Sequence, residues 1–170
     1  MRLRVSSGSA AALGLIDIRR GAEVTTAYVM IGEGGCAFSC TFCPQSRASH
    51  SSHRFLSRVS WPDYEAEDLV EHLLEVEARG EGPRRVCLQV VGSEHGRRDA
   101  EYFIRNYRSA GGTLPVSVNV AVFNVAAARK FFEAGADRLG LAVDAATPSL
   151  FRRHKLDRPG AWRGRMELLE

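Results

Sequence analysis

Three of the four cysteines in this 170-residue chain lie within eight residues, at Cys36, Cys40 and Cys43. Thiolates bind zinc and iron, and paired thiols form disulfides. The spacing therefore leaves three chemistries to consider: a disulfide with a spare thiol, a zinc site, and an iron–sulfur cluster with one iron left open. A disulfide fits least well, because disulfides are rare in the cytosol, where we expect this chain.

The arrangement of the thiols bears on the choice between zinc and iron. A structural zinc site usually takes four ligands from two separated pairs, whereas these thiols form one group. His50 or His53 could supply a fourth ligand, so a Cys3His zinc site stays open as an alternative. A ferredoxin-type cluster needs a fourth cysteine close by, and the sequence has none there. A cubane held by three thiolates leaves one iron free to bind an exogenous chelating ligand.

Composition and charge bound the remaining possibilities. The chain is 45% hydrophobic and 25% charged, with a net charge of +3, which is ordinary for a globular domain and gives little support for nucleic-acid binding. No stretch approaches the roughly 20 apolar residues of a membrane helix, so we expect no membrane contact. Asp17 interrupts the short apolar run near the start, which favours a first helix over a signal peptide. We therefore expect a cytoplasmic location.

Four short apolar runs predict the strands that must position these cysteines. They cover residues 26–31, 85–91, 115–122 and 138–144. The second and fourth are almost continuously apolar, which favours a parallel sheet covered on both faces.

Helical patterns separate the strands. The first is capped at Ser60 and ends at Gly80, the second covers 98–111, the third runs from Asn124 to Gly135, and a fourth begins at Thr147. Alternating strands and helices predict right-handed βαβ units.

The predicted fold is α/β, the N-terminal part of a partial TIM-type (βα) barrel with about four parallel βα units. We treat 1–170 as one domain, with a helical lead-in over 1–24 and the βα units over 25–170. Four parallel strands do not close a barrel, so we expect this chain to be the N-terminal part of a longer βα protein. The long segment 32–59 follows the first strand, and loops at the carboxyl ends of parallel strands carry the functional sites of such folds.

The cysteine motif, Cys-x3-Cys-x2-Cys with Phe42 before the last cysteine, resembles the hallmark of the radical S-adenosylmethionine (radical SAM) superfamily. The resemblance implies a [4Fe–4S] cluster on Cys36, Cys40 and Cys43. S-adenosyl-L-methionine (SAM) would bind the open iron through its amino and carboxylate groups. Reductive cleavage would give methionine and a 5′-deoxyadenosyl radical that abstracts hydrogen, and a low-potential donor such as flavodoxin or ferredoxin would supply the electron.

The resemblance also implies ligands for SAM. Phe42 would pack beside the cluster and near the adenine, although it could instead be a core aromatic. Gly92, Ser93 and Glu94 partly match the stretch that receives the SAM amino group in this family, although Glu94 could be an ordinary solvated carboxylate.

Asp144 stands where related enzymes place an acid on the ribose hydroxyls, and Asn119 is a weaker candidate for the same role. The alternative for Asp144 is capping of the following helix.

Within the superfamily, the segments "TTAYVMIGEGGCAFSCTFCPQSR", "RVCLQVV" and "GADRLGLAVDAATPSLF" resemble the biotin synthase and lipoyl synthase-like branch. This implies a transferase that inserts sulfur, and, for the two-component lipoyl synthase-like proteins, a second radical SAM subunit or a lipoyl carrier protein as partner. Cys87 falls where biotin synthase binds an auxiliary cluster, but the third strand lacks the next cysteine, and a buried free cysteine is the alternative. A non-catalytic metal-binding domain and an inactive barrel fragment also stay open.

Overall fold

The computed structural model describes residues 1–19, 21–155 and 161–169. Its strands are β1 (Arg2–Val5), β2 (Ala27–Ile31), β3 (Phe55–Leu56), β4 (Val59–Ser60), β5 (Asp63–Glu65), β6 (Val86–Val90), β7 (Val116–Asn119) and β8 (Arg138–Gly140). Its helices are α1 (Ser7–Ala12), α2 (Ala66–Arg79), α3 (Glu94–Ser109), α4 (Val125–Ala134), α5 (Pro148–Lys155) and α6 (Ala161–Glu167). None of these helices combines the length and the apolar character needed to cross a bilayer.

Six strands form the central sheet, in the order β5-β1-β2-β6-β7-β8. The strands β2, β6, β7 and β8 run parallel, as the sequence predicts, while β1 lies antiparallel between β2 and β5. The short strands β3 and β4 form a separate hairpin. The mostly parallel sheet is consistent with a partial (βα) fold, and within the described residues it remains open, with β5 and β8 at its edges.

The two faces of the sheet differ in chemistry. On one face, apolar strand residues such as Val29, Leu88 and Val118 are fully buried in a core shared with α1, α2, α3 and α4. On the other face, the alternate positions include Arg4, Gln89 and Asn119, which line cavities. The second face is covered as well, since Arg4, Met30 and Cys87 on it are buried, but it carries polar side chains among the apolar ones.

The N-terminal segment differs from the predicted helical lead-in. Residues Arg2–Val5 form β1, with Leu3 and Val5 buried, and the helix that follows has only six residues. Ser6 caps that helix by accepting a hydrogen bond from the Ser9 amide. The pairing of β1 with two strands distant in sequence is a long-range contact that local pattern does not reveal.

The start of α2 is also later than predicted. Ser60 belongs to β4, residues Asp63–Glu65 pair with β1, and the helix begins at Ala66. It ends at Gly80, whose positive φ of 65° suits a glycine and confirms the predicted stop.

The later helix boundaries follow the capping residues more closely. Helix α3 begins earlier than expected, capped by Ser93, whereas Asn124, Gly135 and Thr147 bound α4 and α5 as predicted. The last strand is shorter than predicted, because residues after Gly140 leave the sheet.

Candidate functional site

The three clustered cysteines lie on the loop that leaves the carboxyl end of β2, residues 32–54, which we call the cysteine loop. Cys36, Cys40 and Cys43 are all free and half-buried, and all three line one cavity of about 370 Å³, the cysteine cavity. Its other walls come from the carboxyl ends of β6, β7 and β8 and the segments that follow them. Burial raises the pKa of the Cys40 thiol, an effect that the nearby ammonium group of Lys155 opposes.

Two glycines allow the cysteine loop to pack closely against the sheet. A Cβ atom on Gly92 would lie 2.9 Å from the Cys36 Sγ atom and closer still to the Phe38 ring. The Gly92 carbonyl also accepts a hydrogen bond of 2.8 Å from the Ala37 amide. Gly32, where the loop begins, has a φ of 115° that disfavours any other residue. These positions fix the path of the chain as it enters the motif.

The donor set fits a three-ligand iron–sulfur cluster better than a single metal ion. In the part of the chain that the structure describes, no group of three or more His, Cys, Asp or Glu side chains is arranged to hold one metal ion. Neither His50 nor His53 lines the cysteine cavity, and His53 lines a different one. The Cys3His zinc group that the sequence left open therefore has no support among the described residues. Each thiolate of a cubane binds a different iron, so three thiols spaced around one cavity suit that group.

The structure brings four of the predicted SAM ligands into the cysteine cavity and leaves two outside it. Those that line it are Phe42, Gly92, Asn119 and Asp144. The Ser93 hydroxyl instead accepts a 2.9 Å hydrogen bond from the Gly96 amide and caps α3. The Glu94 side chain is 76% exposed and lies 3.9 Å from Arg98, as expected of a solvated carboxylate.

Asp144 is held in an unusual conformation at the rim of the cavity. Its φ of 57° lies in the left-handed region, which a non-glycine residue seldom adopts. It does not cap the following helix, because Thr147 does so; its carboxylate forms an ion pair with Lys155. The Lys155 side chain is only 10% exposed, and its Nζ atom lies 5.7 Å from the centre of the Phe42 ring. Phe42 itself is 57% exposed, so it is not a core aromatic.

A second contact attaches the end of α5 to the cysteine loop. The Thr41 amide donates a 2.8 Å hydrogen bond to the His154 carbonyl. Thr41 and the His154 ring also lie within hydrogen-bond distance, at 3.3 Å. Helix α5 therefore forms part of the cavity wall, which the sequence analysis did not anticipate.

Polar residues on the open face of the sheet form the floor of the cavity. The side-chain amides of Gln89 and Asn119 donate to the Cys87 Sγ atom, at 3.3 and 3.2 Å. Cys87 is only 9% exposed and does not line the cavity. Gly140 leaves room for Asn119, because a Cβ there would lie 3.1 Å from the Asn119 Cγ atom. The alternation of Cys87 and Gln89 along one strand is the sequence signal that could have identified this floor.

Arg165 is a further cavity residue that sequence reasoning missed. It is 5% exposed, lines the cysteine cavity from α6, and donates a 2.9 Å hydrogen bond to the Ala142 carbonyl. No local pattern singles it out among the many arginines of the chain. Only the packing of α6 against the segment after β8 brings it to the site.

An α/β fold with a cysteine-lined cavity at the carboxyl ends of its parallel strands defines an enzyme-like site. The sequence model of the Radical SAM superfamily matches residues 30–170, from β2 to the end of the chain. The chain therefore belongs to the radical SAM superfamily, whose members are enzymes that typically use a [4Fe–4S] cluster and SAM. No curated protein matches the chain.

Proposed function

We propose that this chain binds a [4Fe–4S] cluster through Cys36, Cys40 and Cys43 and cleaves SAM bound beside it. The observation that carries the proposal is that the three free thiols share one cavity with Phe42 and Asp144, at the carboxyl ends of the parallel strands. Its volume of about 370 Å³ falls within the range of small-molecule sites, roughly 300–1,000 Å³.

The reduced cluster would supply the electron that cleaves SAM to methionine and a 5′-deoxyadenosyl radical. The protein contributes binding, orientation and the exclusion of water. Asp144, at the rim, would accept hydrogen bonds from the ribose hydroxyls, with Asn119 as a second polar contact. Because Asp144 forms an ion pair with Lys155, SAM would have to share or displace that pair. Phe42, more than half exposed in the cavity, offers a ring face to the adenine.

The SAM amino group would be received by the turn that follows β6, formed by Gly92, Ser93 and Glu94. Gly92 already lines the cavity, and its lack of a side chain keeps the approach open. Glu94 begins α3, so its carboxylate would have to turn from solvent towards the cavity to take part.

We further propose membership of the biotin synthase and lipoyl synthase-like branch, with sulfur insertion as the reaction. This rests on the resemblance of three sequence segments and on Cys87, which lies on β6 beneath the cavity floor. The same resemblance supports a flavodoxin or ferredoxin as electron donor, a second radical SAM subunit or a lipoyl carrier protein as partner, and a cytoplasmic location.

The test is anaerobic reconstitution of the protein with iron and sulfide, in matched single-cysteine variants. Wild-type protein should hold about four irons per chain, change its electron paramagnetic resonance (EPR) spectrum on addition of SAM, and release 5′-deoxyadenosine under reduction. Cys36→Ala, Cys40→Ala and Cys43→Ala should each lose the iron. Cys87→Ala leaves the three motif thiols in place and should keep the SAM-dependent EPR change and the release of 5′-deoxyadenosine.

Two results would contradict the proposal. One is colourless protein that binds a single zinc ion and no iron. The other is full iron content in the three motif variants, which would show that the cluster is held elsewhere.

A further inference from the structure

Strand β1 places a buried arginine against the cysteine loop. The Arg4 residue is only 9% exposed. Its guanidinium donates to the Gln45 Oε1 atom at 3.1 Å, to the His53 carbonyl, and to the Gly32 carbonyl at 3.4 Å. These acceptors lie at the start, middle and end of the cysteine loop, so one side chain holds its three parts together.

No carboxylate within the described residues forms an ion pair with this buried cation. Asp63, its register partner on β5, acts on it electrostatically but lies 3.8 Å from Arg2 and 3.7 Å from Arg54 instead. A buried charge without an opposite charge is costly, and native proteins seldom keep one. The hydrogen-bond acceptors of Arg4 are all neutral, and Asp63 pairs with Arg2 and Arg54, so the charge of Arg4 is only partly balanced within the described residues.

One of the three residues that Arg4 contacts, Gln45, reaches the cysteine cavity. Gln45 is 5% exposed and lines that cavity, as does Met30, the register partner of Arg4 on β2. The Gln45 carbonyl accepts a 3.2 Å hydrogen bond from the Cys36 amide. A cubane held by three thiolates carries a net negative charge, which grows by one on reduction. The cluster site is therefore a source of the missing negative charge.

We propose that Arg4 is a positioning residue for the iron–sulfur cluster, which it serves by tying the cysteine loop to β1 and by balancing the cluster's negative charge. This inference rests on the proposed function, since it requires a cluster on the motif cysteines. The family match begins at Met30, after β1, so Arg4 lies outside the matched segment. Because a nearby cation favours the more negative state, Arg4 should favour the reduced cluster.

The test is the one-electron reduction equilibrium of the reconstituted protein, titrated with dithionite and followed by EPR. Arg4→Gln and Arg4→Lys form the informative pair, because both side chains can donate to the His53 carbonyl and only lysine keeps the charge. We expect Arg4→Gln to disfavour reduction by about tenfold, about 59 mV for one electron, and Arg4→Lys to stay within about threefold of wild type. Arg2→Gln, on the same strand and face with a side chain 60% exposed, is the control and should match wild type.

Several outcomes would overturn the proposal. Equal reduction equilibria in Arg4→Gln, Arg4→Lys and wild type would show that the charge does not reach the cluster, and equal shifts in both variants would show a steric effect. If Arg4→Gln fails to fold without the cluster, either alone or together with Arg4→Lys, then Arg4 is required for folding and not for the cluster.

A second arm tests another source of negative charge. Arg4 also lines a cavity of about 350 Å³, whose other charged or titratable residues are Arg2, Arg54, His53, Glu33 and Asp63. If inorganic phosphate raises the Tm of cluster-free wild type but not of Arg4→Gln, a soluble anion in that cavity balances Arg4, and the proposal is wrong.

Iron content of the wild type is measured first. Its absence would refute the proposed function, and with it this inference, before any Arg4 variant is compared.

Discussion

Gly92→Ala tests whether the cysteine loop needs the close approach seen at the end of β6. The new Cβ would lie 2.9 Å from the Cys36 Sγ atom and closer to the Phe38 ring, so both side chains must move. Overpacking of this kind costs about 1–3 kcal/mol. At about 2–4 °C per kcal/mol for a chain of this size, we expect the Tm of cluster-free protein to fall by about 2–12 °C. Iron content after reconstitution should also fall, because Cys36 is displaced.

The control for this change is Gly35→Ala, in the same loop. Its Cβ would meet only the His53 ring, at 3.7 Å, and its φ is not in the left-handed region. We expect that variant to keep both the Tm and the iron content of wild type. Thermal unfolding followed by circular dichroism and a colorimetric iron assay measure the two quantities. If Gly92→Ala matches Gly35→Ala in both, the close packing of the loop does not govern cluster assembly.

Two further predictions concern ligand binding and acid stability. Asp144→Asn should weaken SAM binding about tenfold in equilibrium dialysis without loss of iron, because it removes a charged hydrogen-bond acceptor. In the same assay, weaker SAM binding by Glu94→Gln would indicate that Glu94 is a ligand, and unchanged binding that it is a solvated carboxylate. Unchanged affinity in Asp144→Asn would remove it from the SAM site. Burial alone would raise the pKa of Glu77, but hydrogen bonds from Thr113 and Tyr107 outweigh it and leave the pKa below its usual value near 4.5. That stabilisation is complete above the usual value and is lost as the pH falls through the lower folded-state value. The free energy of unfolding, measured by urea unfolding at several pH values, should therefore fall less steeply towards acid pH in Glu77→Gln than in wild type. An unchanged pH dependence would contradict this assignment.

Much of the parallel sheet was predictable because its signals are local. Apolar runs gave the four parallel strands, and capping residues such as Asn124 and Gly135 placed α4 within a residue. The start of α2 was not predictable in the same way. Residues Asp63–Glu65 pair with β1, which lies about 60 residues earlier, and that pairing outweighs the capping signal at Ser60.

The candidate site likewise has one part that the sequence predicted and another that only the tertiary structure decided. The spacing of Cys36, Cys40 and Cys43 by itself predicted a three-thiol site and the superfamily that the family match shows, because ligand spacing within a short loop is a local property. Tertiary structure alone decided that Arg4 lies beneath the loop and that Lys155 pairs with Asp144. Those contacts join segments far apart in sequence. Their partners are chosen by how the strands pair and the helices pack, which no short stretch of the chain encodes.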